Sequence, residues 1–271
     1  MWTIATAFVN KPKIIPLWLE CFKKLDFPRK EFELVWVDMT QNPDIHNLLQ
    51  GYLKDHGREF KKVTYIQNPP KKLGIVIEFP PDVIHPSNFL KAASITETMN
   101  IINAYRSGNL LMWEEDVIVP SYAWKILKNI FDQDTSFKAV TGVQYFRKFD
   151  SRGEILAWNW RLGRSTDGRI MHFIENIREK FSGVEQIGAS AQGFTLYRED
   201  FLNGYVFRTE NGLGADIMAG FDIQELGTKP LGGGGKVILV WDMKFPHLGL
   251  DQNGNVKAFK SDLCTTPVPS L

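Results

Sequence analysis

The chain has 271 residues, 44% hydrophobic and 23% charged, enough apolar material for a full core and too much for a disordered, collagenous or coiled-coil chain. Its 32 Lys and Arg balance 31 Asp and Glu, so a formal net charge of +1 excludes a global field for nucleic acid or an anionic membrane. No apolar run approaches the roughly 20 residues of a membrane span, and Met1 to Asn10 lacks a basic region and cleavage site, which predicts a soluble cytoplasmic protein. The two cysteines, Cys21 and Cys264, belong to no Cys/His metal spacing, and Cys21 is expected to be core filling.

In chain order, Trp2 to Val9 reads as a strand, broken by Lys11-Pro12-Lys13. Ile14, Leu17, Trp18, Cys21, Phe22 and Leu25 then recur at helical spacing, a face made to pack on a sheet. Phe32 to Val37 is a second buried strand ending at Asp38, Pro43 to Lys54 a helix with proline at its entry, and Val63 to Ile66 a third strand. The proline-rich stretch Asn68 to Pro86 leads to Ser87, an N-cap for a helix through Tyr105 that Gly108 ends. Asn109 to Trp113 is a strand running into Glu114, Glu115 and Asp116, followed by a helix from Pro120 to about Phe131 and a strand from Ala139 to Val143. From Tyr145 to Lys180 the pattern turns to short segments parted by Asp150-Ser151-Arg152-Gly153 and Ser165-Thr166-Asp167-Gly168, which suggests hairpins inserted over one end of the sheet. Gly188 to Tyr197, a helix around Gly214 to Leu226 and a strand Val237 to Trp241 rebuild an α/β unit. This alternation predicts an α/β fold with a mostly parallel sheet.

The acidic strand end is the most informative place in the chain. Alternate side chains of a strand share a face, so Glu114 and Asp116 are expected to project together and Glu115 to the other side. Paired carboxylates at the carboxyl edge of an open α/β sheet suit Mg²⁺ or Mn²⁺ against a diphosphate, and a solvated acidic turn is the competing reading.

The order of the surrounding segments resembles the GT-A fold glycosyltransferases, most closely the family 2 style of nucleotide-sugar-dependent enzyme. Ala7-Phe8-Val9-Asn10 stands where that family carries a Pro-Thr-Tyr-Asn type strand end, and Val37-Asp38-Met39-Thr40 where an aspartate holds the nucleobase. Thr98-Met99-Asn100 takes the place of a helical Ala-Arg-Asn pattern, without its arginine, and Glu114-Glu115-Asp116 that of the Asp-x-Asp strand end. Gln192 to Arg198 is similar to the glycine-containing strand below the acceptor, and Gly214-Ala215-Asp216 to the helix that begins Glu-Asp. The resemblance implies a GT-A-like, Rossmann-type sheet with an inserted hairpin region, divided into a nucleotide-sugar-binding half over 1–120, an acceptor-binding half over 121–250 and a tail over 251–271. It implies a donor site of Phe8, Asn10, Asp38, Asn100 and Glu115, a UDP- or GDP-sugar as donor, and Mn²⁺ or Mg²⁺ held by Glu114, Asp116 and, after the last strand, His247. Asp216 becomes the general base of an inverting reaction, with an ordinary acid in a first helical turn as the bland alternative. Asp242 competes with His247, and Asp222, where many members carry Arg, receives no role.

Other signals carry less. Gly232 to Gly235 before Lys236 is no phosphate loop, because a strand rather than a Ser/Thr and helix follows; a donor-ordered lid and a plain connection are both open. Trp158 and Trp160 can stack on a sugar or pack a hairpin. Arg147, Lys148, Arg152, Arg161, Arg164 and Arg169 make the insertion locally basic, fit for an anionic acceptor or for plain solvation, and Lys71 and Lys72 can approach a diphosphate. The acceptor, whether glycan, lipid-linked or modified nucleic acid, is not specified. A catalytically silent binding protein on the same fold and a sugar nucleotidyltransferase are the alternatives, the latter disfavoured by the missing glycine-rich basic loop after the first strand.

Overall fold

The computed structural model describes residues 1–67, 86–149, 155–157, 159–163, 170–173, 182–209, 214–224, 234–251 and 253–259. Outside them lie the proline-rich stretch with Lys71 and Lys72, both predicted turns of the insertion, Trp158, Arg152, Arg164, Arg169, Gly232, Gly233, Cys264 and the tail from residue 260 on.

The first half is β1 (Trp2–Phe8), α1 (Ile15–Lys24), β2 (Phe32–Asp38), α2 (Pro43–His56), β3 (Lys62–Gln67), α3 (Pro86–Tyr105), β4 (Asn109–Trp113) and α4 (Ala123–Gln133). The chain continues with β5 (Phe137–Phe149), β6 (Ile155–Ala157), β7 (Asn159–Gly163), β8 (Ile170–Phe173), β9 (Val184–Ile187), β10 (Ala189–Ser190) and β11 (Phe194–Tyr197). Then come α5 (Glu199–Leu202), α6 (Ala215–Ile223), β12 (Lys236–Phe245), β13 (His247–Leu250) and β14 (Val256–Phe259). The main sheet runs β3-β2-β1-β4-β11-β5-β12-β9, with β6 added to β5. Strands β1 to β4 are mutually parallel, β11 runs antiparallel between β4 and β5, β12 is parallel to β5, and β9 closes the edge antiparallel. The expected mostly parallel α/β sheet is therefore present, and so is an inserted hairpin, since β7 pairs with β8 antiparallel and with β10.

Period-2 alternation builds a core on each face of this sheet. Ile4, Phe8, Leu34, Trp36, Leu111 and Trp113 pack with Trp18 and Phe22 of α1 and Leu127 of α4 on one side. Ala5, Val35, Val37, Leu110 and Met112 pack with Met99 and Ile102 of α3 and Ala219 of α6 on the other. Pro43 sits at the first position of α2 and the Asn42 side chain accepts the Asp44 amide at 2.9 Å, so the helix starts where its sequence places it. Cys21 is buried and donates to the Val119 carbonyl, and burial pushes its thiol up to about 11, an inert filler. Among the described residues no helix is long and apolar enough to cross a membrane.

Helix α6 is anchored from behind by a group that the sequence left without a role. Asp222 is fully buried; Arg208 grips both of its oxygens, one at 2.8 Å, and the Tyr205 hydroxyl donates to it at 2.8 Å. Burial and the Asp222 charge push the Tyr205 hydroxyl up, holding it as a donor. Asp222→Asn would leave Arg208 without its bidentate partner, and a loss of about 3 kcal/mol is expected in urea unfolding.

Candidate active site

The carboxyl ends of β1, β2 and β4 form one edge of the sheet, and the residues of interest gather there. Strand β4 stops at Trp113, and the three acids lie on a turn: the Glu114 amide donates to the Gly193 carbonyl at 2.9 Å and the Val117 amide to the Glu114 carbonyl at 3.2 Å. The strand alternation expected to separate Glu115 from its neighbours ends before it reaches them. The turn itself brings Glu114 close to Asp116, and Glu115 is buried beside Asp116 rather than projecting away. Gly193 braces this turn. Its amide donates to Gln144 Oε1 at 2.9 Å, and a Cβ there would stand 2.4 Å from that same oxygen, so only glycine admits the contact.

His247 reaches the acids from 130 residues downstream through backbone pairing. A register shift in β12 between Val240 and Lys244 and the step to β13 carry the chain past the acidic turn. There the Ile118 amide donates to the Pro246 carbonyl at 2.9 Å and the Leu248 amide to the Asp116 carbonyl at 2.6 Å. His247 is 1% exposed, and its Nδ1 bonds the Tyr145 carbonyl, an acceptor, so Nδ1 carries a proton and Nε2 is the nitrogen that faces the acids. That Nε2 lies 3.5 Å from Glu114 Oε2. One ligand atom each of Glu114, Asp116 and His247 falls within 4.8 Å of the others. Two hard carboxylates and an imidazole fit a divalent cation. Asp242, the competing candidate, is exposed on β12 and accepts the Gly183 amide at 2.9 Å, apart from this group.

Asp216 occupies the first turn of α6. Gly214 leaves room for it: a Cβ at that position would meet Asp216 Oδ1 at 2.6 Å. Burial, and then the Glu114 charge, raise its carboxyl to about 6, while the amides of Ile217 and of Asp216 itself pull the other way. Both the Asp216 and Glu114 charges also push up the buried Tyr197 hydroxyl of β11. Burial and the Asp116 charge raise Glu115 as well, opposed by Lys11.

Other expected site residues are differently employed. Asp38 is fully buried, with Oδ1 accepting the Thr40 amide at 2.9 Å and Oδ2 held by His46 Nδ1 and the Tyr65 hydroxyl, each at 2.5 Å. Burial, then Asp38, push the Tyr65 hydroxyl up. The Phe8 side chain is core, in edge contact with Trp18 and Trp36, so only its backbone faces the strand end. Asn10 is exposed after β1. Asn100 spends its amide on Phe207, donating to the carbonyl at 2.9 Å and accepting from the amide at 2.8 Å. None of the described contacts of Asn100 joins it to the acids. Lys11, His46 and Tyr65 had no motif to mark them, although Lys11 directly follows the matched Asn10.

No family model matches the sequence, and no curated protein matches it. Solved structures do. GalNAc-T7, crystallised with UDP, GalNAc and Mn²⁺, superposes with a TM-score of 0.60 at 11% identity, over 91% of this chain and 43% of its own. The mannosyltransferase PcManGT of Pyrobaculum calidifontis, in complex with GDP-Man and Mn²⁺, gives 0.56 at 13% identity, over 90% of this chain and 55% of its own. The chain has the GT-A glycosyltransferase fold. TarS of S. aureus adds 0.51 at 14% identity, over 90% of this chain and 36% of its own. The chain thus spans about half the length of these neighbours or less, and the likeness covers about nine-tenths of this chain rather than a local motif.

Proposed function

We propose that the chain is a metal-dependent glycosyltransferase that moves a sugar from a nucleoside diphosphate donor to a hydroxyl or amine acceptor with inversion. The observation that carries this reading is the convergence of Glu114, Asp116 and His247 at the sheet edge, on the fold of enzymes whose structures hold UDP or GDP-Man and Mn²⁺. In this reading Glu114, Asp116 and His247 would hold Mn²⁺ or Mg²⁺, which when bound would supply Lewis-acid neutralisation of charge on the departing diphosphate. Asp216, poised near neutrality by burial, accepts the acceptor's proton as its oxygen bonds the anomeric carbon and the bond to the diphosphate breaks. Attack from the face opposite the diphosphate inverts that carbon.

Asp38 serves the base end of the donor. With both oxygens engaged, it fixes His46 and Tyr65 at the end of β2, and it reaches a base N–H itself only if one of those two gives way. Asn10 and the backbone of Phe8 flank the same end. The acceptor class, whether glycan, lipid-linked or modified nucleic acid, belongs to the insertion.

The test is the release of free nucleoside diphosphate from UDP-, GDP-, CDP- and dTDP-sugars in Mn²⁺, with mixed glycan acceptors supplied. Release from one donor class, lost in chelator, is the expected result. Binding of a diphosphate without release from any donor would instead make the chain a silent binding protein.

A further inference from the structure

The acidic turn already holds a cation of its own. Lys11 lies in the turn after β1, where its carbonyl accepts the amides of Ile14 and Ile15 at 3.0 and 3.1 Å and so starts α1. Its Nζ stands 2.5 Å from Glu115 Oε1 and 2.6 Å from Asp116 Oδ2. The Lys11 side chain is 23% exposed, whereas those of Glu115 and Asp116 are 6% and 1% exposed, so the ammonium closes two buried carboxylates from the solvent side. Two residues on, Lys13 Nζ donates to the Gly254 carbonyl at 2.7 Å, in the turn joining β13 to β14, the hairpin whose first residue is His247. That contact lies at the turn of the hairpin, the end away from His247, which pairs with Phe259.

Charge makes the consequence specific. Glu114, Glu115 and Asp116 bring three carboxylates to one turn, and among the described contacts Lys11 supplies a monovalent counter-ion to two of them. Asp116 is common to Lys11 and to the divalent cluster. A divalent ion on Asp116 would face a like charge at contact distance, and the interaction is strong where little water intervenes. Lys11 is also on a long flexible stem and already part-exposed, so it can leave without disturbing α1.

We propose that Lys11 is a resident counter-ion of this site, holding Asp116 and Glu115 together when no divalent ion is bound and competing with that ion for Asp116. The inference rests on the metal-site reading above and deepens it. Metal affinity is then set below what the three ligands alone would give, and removing Lys11 raises it.

The experiment is titration of the full chain with Mn²⁺ alone, following the free-ion electron paramagnetic resonance signal, for the wild type and for Lys11→Met, Lys13→Met and Asp116→Ala. Lys11→Met is expected to bind Mn²⁺ more tightly by on the order of tenfold. Lys13→Met makes the same charge change on a residue bonded to a carbonyl and is expected to leave the affinity unchanged. Lys11→Gln replaces Lys11→Met if the latter fails to fold. Equal or weaker binding by the Lys11 variant, or equal tightening by Lys13→Met, overturns the proposal. If Asp116→Ala abolishes Mn²⁺ binding in the same series, the metal site stands even when the Lys11 proposal fails. Mn²⁺ binding by neither the wild type nor Lys11→Met overturns both.

Discussion

Asp216→Asn is expected to lower turnover by about 10²- to 10⁴-fold, the range of a positioned general base, while leaving nucleoside diphosphate affinity intact. The same substitution is expected to stabilise the fold. Asp216 is raised to about 6 from an ordinary value of 3.8, chiefly by burial, so the native state favours its protonated form. A carboxyl raised in this way contributes stability that is present below its unfolded value and lost as pH rises through about 6. At pH 7 the wild type carries the cost of a poorly solvated carboxylate, and the neutral amide removes it. Because Asp216 is only partly buried, solvent screens the effect, and a gain of about 1–2 kcal/mol is expected rather than the full linkage value. Denaturant melts of the two proteins at pH 4 and pH 7 check this: the gain should be present at pH 7 and shrink at pH 4. In the wild type the rate should rise with pH through about 6 as the base deprotonates. An Asp216→Asn protein that turns over normally would return Asp216 to the role of an ordinary acid in a first helical turn.

Asp116→Ala is expected to abolish metal-dependent binding of the donor diphosphate. Asp116 is 1% exposed and joins three of the contacts at the turn: its side chain belongs to the cation group and to the Lys11 pair, and its backbone carbonyl accepts the Leu248 amide. The backbone bond survives the substitution, so His247 stays beside the turn while a ligand is lost. A ligand present at about 100 times its dissociation constant stabilises a protein by about 2.7 kcal/mol, which in a chain of this size is a melting shift of roughly 5 °C or more. That shift should be present in the wild type and absent in the variant. Survival of the shift would show that the diphosphate binds without Asp116.

Much of the fold was legible because its signals are local. Periodicity and caps gave the first four strands and helices within a residue or two, as with Phe32 to Asp38 and the Pro43 helix entry. Strand β5 extends well beyond the predicted Ala139 to Val143, because its far end pairs with β6 of the insertion, a partner that no local window reveals. The site was legible where a residue type is rare at a strand end, as at Glu114 to Asp116. It was not legible where a side chain's duty is fixed by a distant backbone. Asn100 fits a donor-binding pattern but is consumed by Phe207, and Phe8 fits one but is core. Asp222 is claimed by Arg208 and Tyr205, and the placing of His247 rather than Asp242 beside the acids follows from a register shift in β12. Composition and spacing do not record such pairings, and Lys11 shows the same thing, since a lysine after a first strand carries no signal until the acids it faces are in place.

A metal-dependent donor site is tested most directly by a thermal-shift panel of uridine, guanosine, cytidine, adenosine and thymidine diphosphates, each with Mn²⁺, Mg²⁺ or chelator, on the wild type and Asp116→Ala. One diphosphate is expected to raise the melting temperature of the wild type only when metal is present and to leave the variant unmoved. Stabilisation by none of them, or stabilisation that persists in chelator and in the variant, would contradict a metal-dependent nucleotide-sugar site at this strand end.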